Sequence, residues 1–166
     1  MLCCCLPFKP ARVVFLGLDG SGKTTLFNHL AHHLSLPPAA DEGAVYVPTK
    51  LPMVATCQAH GRNLVVWDVP GSDPQTWRHF YTGAMGIVYV VDADRFAQAK
   101  QQLEELGREE QLKDALFLLV VNKQSASATT EQIMDKLKHL PFSRYKVMGS
   151  AQEFASVGVP WLCKEM

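Results

Sequence analysis

The sequence predicts an α/β domain in which buried strands alternate with helices. Two continuous apolar runs, Ile87 to Val91 and Leu116 to Val121, have the length and β-branched content of strands buried on both faces. Between them Phe96, Ala99 and Leu103 fall at helical spacing. Such alternation is typical of a mostly parallel sheet covered by helices.

The amino-terminal half contributes a strand, a helix and a hairpin. Residues 12–17 are a short apolar run that enters a glycine-rich turn, and leucines at helical spacing predict a helix over residues 23–34. Residues 53–59 and 63–68 flank a His-Gly turn, which predicts a β-hairpin. This hairpin supplies the one antiparallel strand at the edge of the sheet.

The carboxyl-terminal half continues the alternation. The spacing predicts helices over residues 95–111 and 131–140, with a last strand over residues 145–148. The tail after Gln152 is predicted to be a short helix interrupted by Pro160.

Length and composition restrict the class of protein. A chain of 166 residues fits one domain, predicted over residues 12–166 after a short amino-terminal segment, residues 1–11. Hydrophobic residues make up 48% and charged residues 19%, which excludes a disordered chain or a coiled coil. Sixteen basic residues balance sixteen acidic ones, so no overall field attracts nucleic acid, and we expect no nucleic-acid partner. We also expect a monomer.

The apolar segments also indicate a location. The longest runs are far shorter than the roughly 18 residues that a membrane-spanning helix needs. No basic segment followed by an apolar stretch and a small-residue cleavage site precedes the first strand. We therefore expect a cytoplasmic protein.

Residues 17–24 carry the strongest motif. They fit G-x-x-x-x-G-K-[ST] and lie between a predicted strand and a predicted helix, as a phosphate-binding loop requires. The glycines let backbone N–H groups face phosphate oxygens, Lys23 adds a cation at the β- and γ-phosphates, and Thr24 offers a hydroxyl to Mg²⁺. The predicted nucleotide contacts here are Asp19, Gly20, Ser21, Gly22, Lys23, Thr24 and Thr25.

A strand-ending acid is the second candidate. Asp68 ends an apolar strand and is followed by Pro70 and Gly71, which gives Asp-x-x-Gly at the carboxyl edge of the sheet. Such an Asp is often a turn former or a helix cap. Beside a phosphate loop it is interpreted as part of the metal shell.

Two further strand ends suggest a base-binding site. Asn122 and Lys123 follow a buried strand, where an amide and a lysine stem could meet the edge and face of a purine. Ser150 and Ala151 follow the last strand, and their backbone N–H groups could contact the base. An ordinary β-to-α turn explains this second pair equally well.

Five motifs together resemble the ADP-ribosylation factor (Arf and Arf-like) small GTPases. In order they read GLDGSGKTT at 17–25, WDV at 67–69, WRHFYTG at 77–83, VVDADR at 90–95 and NKQ at 122–124. The resemblance covers about residues 10–151. It implies a three-layer α/β/α fold with a six-stranded sheet and about five helices, with GTP, GDP and Mg²⁺ as ligands.

The resemblance also implies partners. Switch segments would lie at residues 41–52 and 69–84 and would contact effector, exchange-factor and activating proteins in membrane traffic. Thr49 would bind Mg²⁺ when the γ-phosphate is present.

The chain departs from the family pattern at several positions, among them Lys50 and Leu51, which replace the usual Ile-Gly after Thr49. The catalytic set carried over is Lys23, Gly71 and Ser72, with Gly71 at the γ-phosphate contact. Ser72 replaces the water-orienting Gln, Ser125 replaces the Asp that reads guanine, and Pro70 replaces a glycine. We therefore expect slow hydrolysis and relaxed guanine selectivity.

The amino-terminal cysteines are lipidation candidates. Leu2 follows Met1, so the Gly needed for myristoylation is absent. Cys3, Cys4 and Cys5 could accept palmitoyl chains and hold the protein peripherally on an intracellular membrane.

Two other functions stay open from the sequence. The losses at Pro70, Ser72 and Ser125 fit a degenerate GTPase that acts as an interaction scaffold. The phosphate loop also resembles that of thymidylate kinases, although no Arg-rich lid segment is present and Asn122-Lys123 argues against a kinase.

Overall fold

The structure, a computed structural model, describes residues 9–33, 50–122 and 129–166. Within them the chain forms one six-stranded sheet. The strands are β1 (Ala11–Leu16), β2 (Met53–Ala59), β3 (Arg62–Asp68), β4 (Ala84–Asp92), β5 (Leu116–Asn122) and β6 (Tyr145–Met148).

Helices occupy the connections between strands. The α-helices of the described residues are α1 (Lys23–His33), α2 (Phe96–Leu106), α3 (Thr130–Leu137), α4 (Ala151–Glu153) and α5 (Val159–Glu165). Short 3-10 turns cover Pro74–Phe80, Ala93–Arg95 and Glu110–Leu112.

The strand order is β2-β3-β1-β4-β5-β6. β2 pairs antiparallel with β3, and all the other pairs are parallel. This arrangement confirms the predicted mostly parallel sheet with one antiparallel edge strand, and it places the carboxyl ends of the five parallel strands along one edge.

Each face of the sheet buries its own apolar core, because side chains alternate along each strand. Leu103 of α2 and Ile133 of α3 pack on the face that carries Tyr89. Leu26 of α1 and Leu162 of α5 pack on the opposite face, which carries Phe15. These two layers of helices confirm the three-layer α/β/α architecture.

Two predicted helices are shorter than their spacing suggested. α2 ends at Leu106 and not at residue 111, because its carboxyl-terminal cap is Gly107, a poor helix former, and Glu110–Leu112 forms a separate turn. α3 ends at Leu137, three residues before its predicted end. A capping box fixes the start of α3: the Thr129 side chain accepts from the Gln132 N–H, and the Gln132 side chain accepts from the Thr129 N–H.

Pro160 alters the last helix without ending it. A wider π-helical turn, Phe154–Gly158, connects α4 to α5, and Pro160 lies at the first positions of α5. Proline lacks the N–H that an α-helical bond needs, and the wider turn lets helical structure continue to Glu165.

Candidate functional site

The site is built at the edge where the parallel strands end. β1, β3, β4 and β5 stop at Leu16, Asp68, Asp92 and Asn122, and the strand register pairs Phe15 with Asp68. The register also pairs Asp92 with Asn122. Two acids and an amide therefore surround the loop that follows β1.

The loop after β1 depends on glycine at three positions. Gly17, Gly20 and Gly22 have backbone φ angles of +139°, +71° and +95°. Residues other than glycine rarely adopt these angles. A Cβ on Gly22 would collide with the Asn122 amide nitrogen. Backbone N–H groups in such a left-handed turn form a concave anion site, as the motif predicts.

Lys23 lies inside this loop and is only 5% exposed. Its Nζ donates to the carbonyl oxygen of Leu18 at 2.9 Å. Burial lowers the pKa of Lys23, although nearby Asp68 and Asp19 act in the opposite direction. The ammonium group is thus held within the loop, where an incoming phosphate could replace the carbonyl.

Thr24 and Asp68 meet beside the loop. The Thr24 hydroxyl donates to Asp68 Oδ2 at 2.7 Å. Asp68 is fully buried, its Oδ1 accepts no hydrogen bond from the described residues, and burial raises its pKa. Hydroxyl and carboxylate oxygens are the ligands that Mg²⁺ prefers, and a buried oxygen without a donor fits that ion. Thr49, the third predicted ligand, lies outside the described residues.

Gly71 packs directly against the phosphate loop. A Cβ at this position would collide with backbone atoms of Gly17, Leu18 and Asp19, so a glycine is required for the close approach. The indole N–H of Trp77, which is buried, donates to the carbonyl oxygen of Pro70 at 2.8 Å and fixes the preceding residue. Gly71 is buried and the neighbouring Ser72 is exposed.

The base-binding residues are only partly described. Asn122 Nδ2 donates to the carbonyl oxygen of Ser21 at 2.8 Å, which ties the end of β5 to the phosphate loop. Ser150 caps α4, because its hydroxyl accepts from the Glu153 N–H at 3.1 Å, and Ala151 begins that helix. Lys123 and Ser125 lie outside the described residues.

Other predicted positions have varied surroundings. Thr25 is exposed in the first turn of α1. Ser21 is fully buried, and its hydroxyl makes no hydrogen bond within the part of the chain that the structure describes. Cys3, Cys4 and Cys5 lie outside the described residues, as does most of the segment 41–52. The segment 69–84 is described throughout.

Sequence reasoning assigned no role to Asp92 and Arg95, although both stand in the motif at 90–95. Arg95 Nε and Nη2 donate to Asp92 Oδ2 at 3.0 and 2.8 Å, and Nη2 also donates to the carbonyl oxygen of Asp19. An acid at the end of a buried strand, followed three residues later by Arg, was the available signal. The contact between Arg95 and Asp19 joins residues far apart in the sequence, so no pattern of local spacing predicts it.

None of the helices in the described part of the chain is long and apolar enough to cross a membrane.

Comparison with known proteins agrees with this geometry. The family model described as "ADP-ribosylation factor family" matches residues 4–153. Among solved structures, the chain is similar to the Arl6 (BBS3) small GTPase from Trypanosoma brucei, solved with the bound nucleotide analogue GppNp. The sequences are 20% identical, the match covers 94% of this chain and 96% of the other, and the TM-score is 0.69. The two proteins share a fold, and the match to the family model over most of the chain shows that this protein belongs to the ADP-ribosylation factor family of small GTPases.

Proposed function

We propose that the protein is a guanine-nucleotide-dependent switch that binds GTP or GDP together with Mg²⁺. One observation carries the proposal: the buried Lys23, the bonded pair Thr24 and Asp68, and the left-handed glycines of the loop converge at one edge of the sheet. The bound analogue in the Trypanosoma relative supports the same type of ligand for this fold.

The phosphates would lie in the loop after β1. Backbone N–H groups of residues 19–25 would donate to phosphate oxygens, and Lys23 would exchange its bond to the Leu18 carbonyl for the β- and γ-phosphates. That exchange favours the nucleotide, because the ammonium group binds an anionic phosphate oxygen more strongly than the neutral carbonyl oxygen that it leaves.

Thr24, Asp68 and Thr49 would hold the metal ion. When bound, Mg²⁺ neutralises charge on the β- and γ-phosphates. The Thr24 hydroxyl already points at the Asp68 carboxylate, so the two oxygens lie close enough to serve one ion. Thr49 is assigned by family position alone.

We propose slow intrinsic hydrolysis. The catalytic positions are Lys23, Gly71 and Ser72, and a serine hydroxyl is too short to orient an attacking water as the family Gln does. Ser72 is exposed beside the buried Gly71, so the position itself borders the phosphate loop. A helper protein could supply the missing group, as other GTPases use an arginine in trans.

The second switch segment, residues 69–84, would transmit the nucleotide state. Gly71 touches the loop, and the buried Trp77 holds Pro70 through a hydrogen bond. A γ-phosphate that contacts the Gly71 N–H would therefore change the position of a segment whose outer side chains are exposed. Effector, exchange-factor and activating proteins would bind this segment and residues 41–52.

The base would lie between Asn122, Lys123 and Ser125 on one side and Ser150 and Ala151 on the other. A serine hydroxyl at position 125 accepts a weaker contact from guanine than a carboxylate does. We therefore propose that guanine is preferred over adenine only weakly.

We also propose a role in membrane traffic, with Cys3, Cys4 and Cys5 as acylation sites. Two acyl chains give stable anchoring where one does not. Changing all three cysteines to Ser should release the protein into the soluble fraction of fractionated cells. A wild type that is already fully soluble would contradict this part of the proposal.

A scaffold without turnover is the second candidate function. Ser72 and Ser125 favour it, because they replace the family residues that orient water and read guanine, and Pro70 replaces a glycine next to the γ-phosphate contact at Gly71. Such a protein could retain the fold while no longer binding nucleotide.

Extraction of bound nucleotide from the purified protein distinguishes the nucleotide-dependent switch from the scaffold. Heat-denatured wild type should release GDP or GTP at about one equivalent, identified by mass spectrometry, and Lys23→Ala should release much less. Lys100→Ala is the matched control, because that lysine is exposed on α2 and pairs with Glu104. No nucleotide from the wild type, and no calorimetric binding of added GDP with Mg²⁺, would select the scaffold.

A further inference from the structure

We propose that Arg95 is a positioning residue that sets the direction of the Gly20 amide in the phosphate loop. The inference rests on the proposed nucleotide-binding function and assigns part of it to a residue outside the loop. Arg95 reaches the loop from the turn after β4, and its Nη2 donates to the Asp19 carbonyl oxygen.

The peptide group between Asp19 and Gly20 is rigid and trans. Its carbonyl oxygen and its N–H therefore point in opposite directions. Because the guanidinium holds the carbonyl of Asp19, the N–H of Gly20 must point away from Arg95. A bond to the carbonyl also polarises the amide and makes its N–H a stronger donor.

The Gly20 N–H is available for a ligand. No carbonyl among the described residues accepts from it, whereas the N–H of Ser21 donates to the Leu18 carbonyl at 3.1 Å. The φ angle of Gly20 is +71°, so its peptide belongs to the left-handed part of the loop that forms an anion-binding concavity. We infer that this N–H donates to a phosphate oxygen of the bound nucleotide.

Asp92 holds the guanidinium in place. Its Oδ2 accepts from both Nε and Nη2 of Arg95, at 3.0 and 2.8 Å, and its Oδ1 accepts from the Asp94 N–H at 3.1 Å. Asp92 is buried at the end of β4, so its position is fixed by the sheet. Because the guanidinium is planar and bound in this way, its remaining Nη2 hydrogen points toward Asp19. A lysine ammonium group rotates freely and would not hold a hydrogen in that one direction.

The pair of Asp92 and Arg95 contributes to nucleotide binding by orienting the Gly20 amide and not by adding net charge. The Asp92 carboxylate lies within hydrogen-bond distance of the guanidinium and offsets its charge toward the phosphate site. A lysine at position 95 would keep the positive charge and the ion pair while losing the fixed fork. Arg95→Lys therefore separates the two effects.

The experiment is nuclear magnetic resonance of one peptide group. The sequence contains a single Asp-Gly pair, residues 19 and 20, so protein labelled with ¹³C-carbonyl aspartate and ¹⁵N-glycine gives one filtered amide signal from Gly20. Spectra are recorded in the presence of Mg²⁺, with and without GDP, for wild type, Arg95→Ala, Arg95→Lys and the control Arg144→Ala. Arg144 is a suitable control because it pairs with Glu165 in a different part of the molecule.

In the wild type, GDP should move the Gly20 amide proton downfield. Arg95→Ala should lose most of that shift and bind GDP about tenfold more weakly, the loss expected for one charge-assisted bond. Arg95→Lys should resemble Arg95→Ala, and Arg144→Ala should resemble the wild type. The signals of the other glycines show whether each variant is folded. If Arg95→Ala does not fold, Arg95→Lys is compared with the wild type instead.

Three results would overturn the inference. A wild-type Gly20 shift in Arg95→Ala would show that the guanidinium does not orient the peptide. Full affinity in Arg95→Lys with a displaced Gly20 signal would show that charge matters and direction does not. A wild type that binds no GDP would overturn the proposed function and this inference together, which distinguishes that failure from the first two.

Discussion

The phosphate side and the base side of the site differ in how they are built. On the phosphate side, Lys23, Thr24 and Asp68 lie together in a buried network with the glycine loop. On the base side, the Asn122 amide is bonded to the loop carbonyl of Ser21, and Ser150 serves as a helix cap.

This difference has a physical origin. Phosphate recognition depends on backbone N–H groups and a few charges within one short segment, so the strand-loop-helix geometry supplies most of it. Base recognition depends on individual side chains after two separate strands, and one substitution such as Ser125 can weaken it without altering the fold. The chain should therefore bind nucleotide chiefly through the phosphates.

The largest expected effect is a loss of binding in Lys23→Ala. It removes charge-assisted bonds worth about 1.5–3 kcal/mol each, so nucleotide affinity should fall by more than about a hundredfold. Thr24→Asn should also weaken binding severely, through loss of a metal ligand. Calorimetry with GDP and Mg²⁺ measures both, with Lys100→Ala as the control. Unchanged affinity in both variants would contradict the phosphate-loop assignment.

The next effect is a gain on the base side. A carboxylate in Ser125→Asp would accept two charge-assisted bonds from guanine, so GTP affinity should rise about tenfold to hundredfold while ATP affinity stays unchanged. Competition of GTP, ATP and XTP against a fluorescent nucleotide provides the comparison. Equal GTP affinity in wild type and variant would show that another residue reads guanine.

A smaller gain is expected in hydrolysis. Ser72→Gln restores a side chain long enough to orient water, and one added hydrogen bond in the transition state corresponds to about a tenfold faster rate. Single-turnover GTP hydrolysis without any helper protein measures it, with Ser72→Ala as the matched control. If the wild type already hydrolyses GTP as fast as Ser72→Gln does, Ser72 is not the reason for slow hydrolysis.

The smallest effect concerns the connection of the second switch segment to the loop. Trp77→Phe removes the hydrogen bond to the Pro70 carbonyl and part of a buried ring. The free energy of unfolding should therefore fall by about 1–2 kcal/mol. Thermal unfolding should show a decrease of a few degrees. Trp161→Phe, which alters a partly buried ring on α5, should change the midpoint less.

Most of the fold was predictable because its signals are local. The apolar runs at 87–91 and 116–121 became the buried β4 and β5, and the hairpin around His60 and Gly61 became the antiparallel edge. Helix ends were less predictable: α2 ends at Leu106, its last spaced apolar residue, and the polar residues 107–111 that the prediction included lie outside the helix.

The candidate site was predictable where a residue belongs to a local motif or follows a predicted strand. Lys23 and Thr24 followed from the motif, and Asp68 from its place at a strand end. The bonds from Arg95 to the Asp19 carbonyl and from Asn122 to the Ser21 carbonyl join residues far apart in the chain. Such contacts depend on strand order, which a single sequence does not display.

Competition binding on the wild type shows whether the protein binds nucleotide chiefly through its phosphates. A fluorescent GDP analogue bound in the presence of Mg²⁺ is displaced with GTP, ATP and inorganic triphosphate. Both nucleotides and triphosphate should displace the analogue. The ratio of GTP affinity to ATP affinity should be smaller in the wild type than in Ser125→Asp. An analogue that does not bind, or a GTP preference in the wild type equal to that of Ser125→Asp, would contradict this expectation.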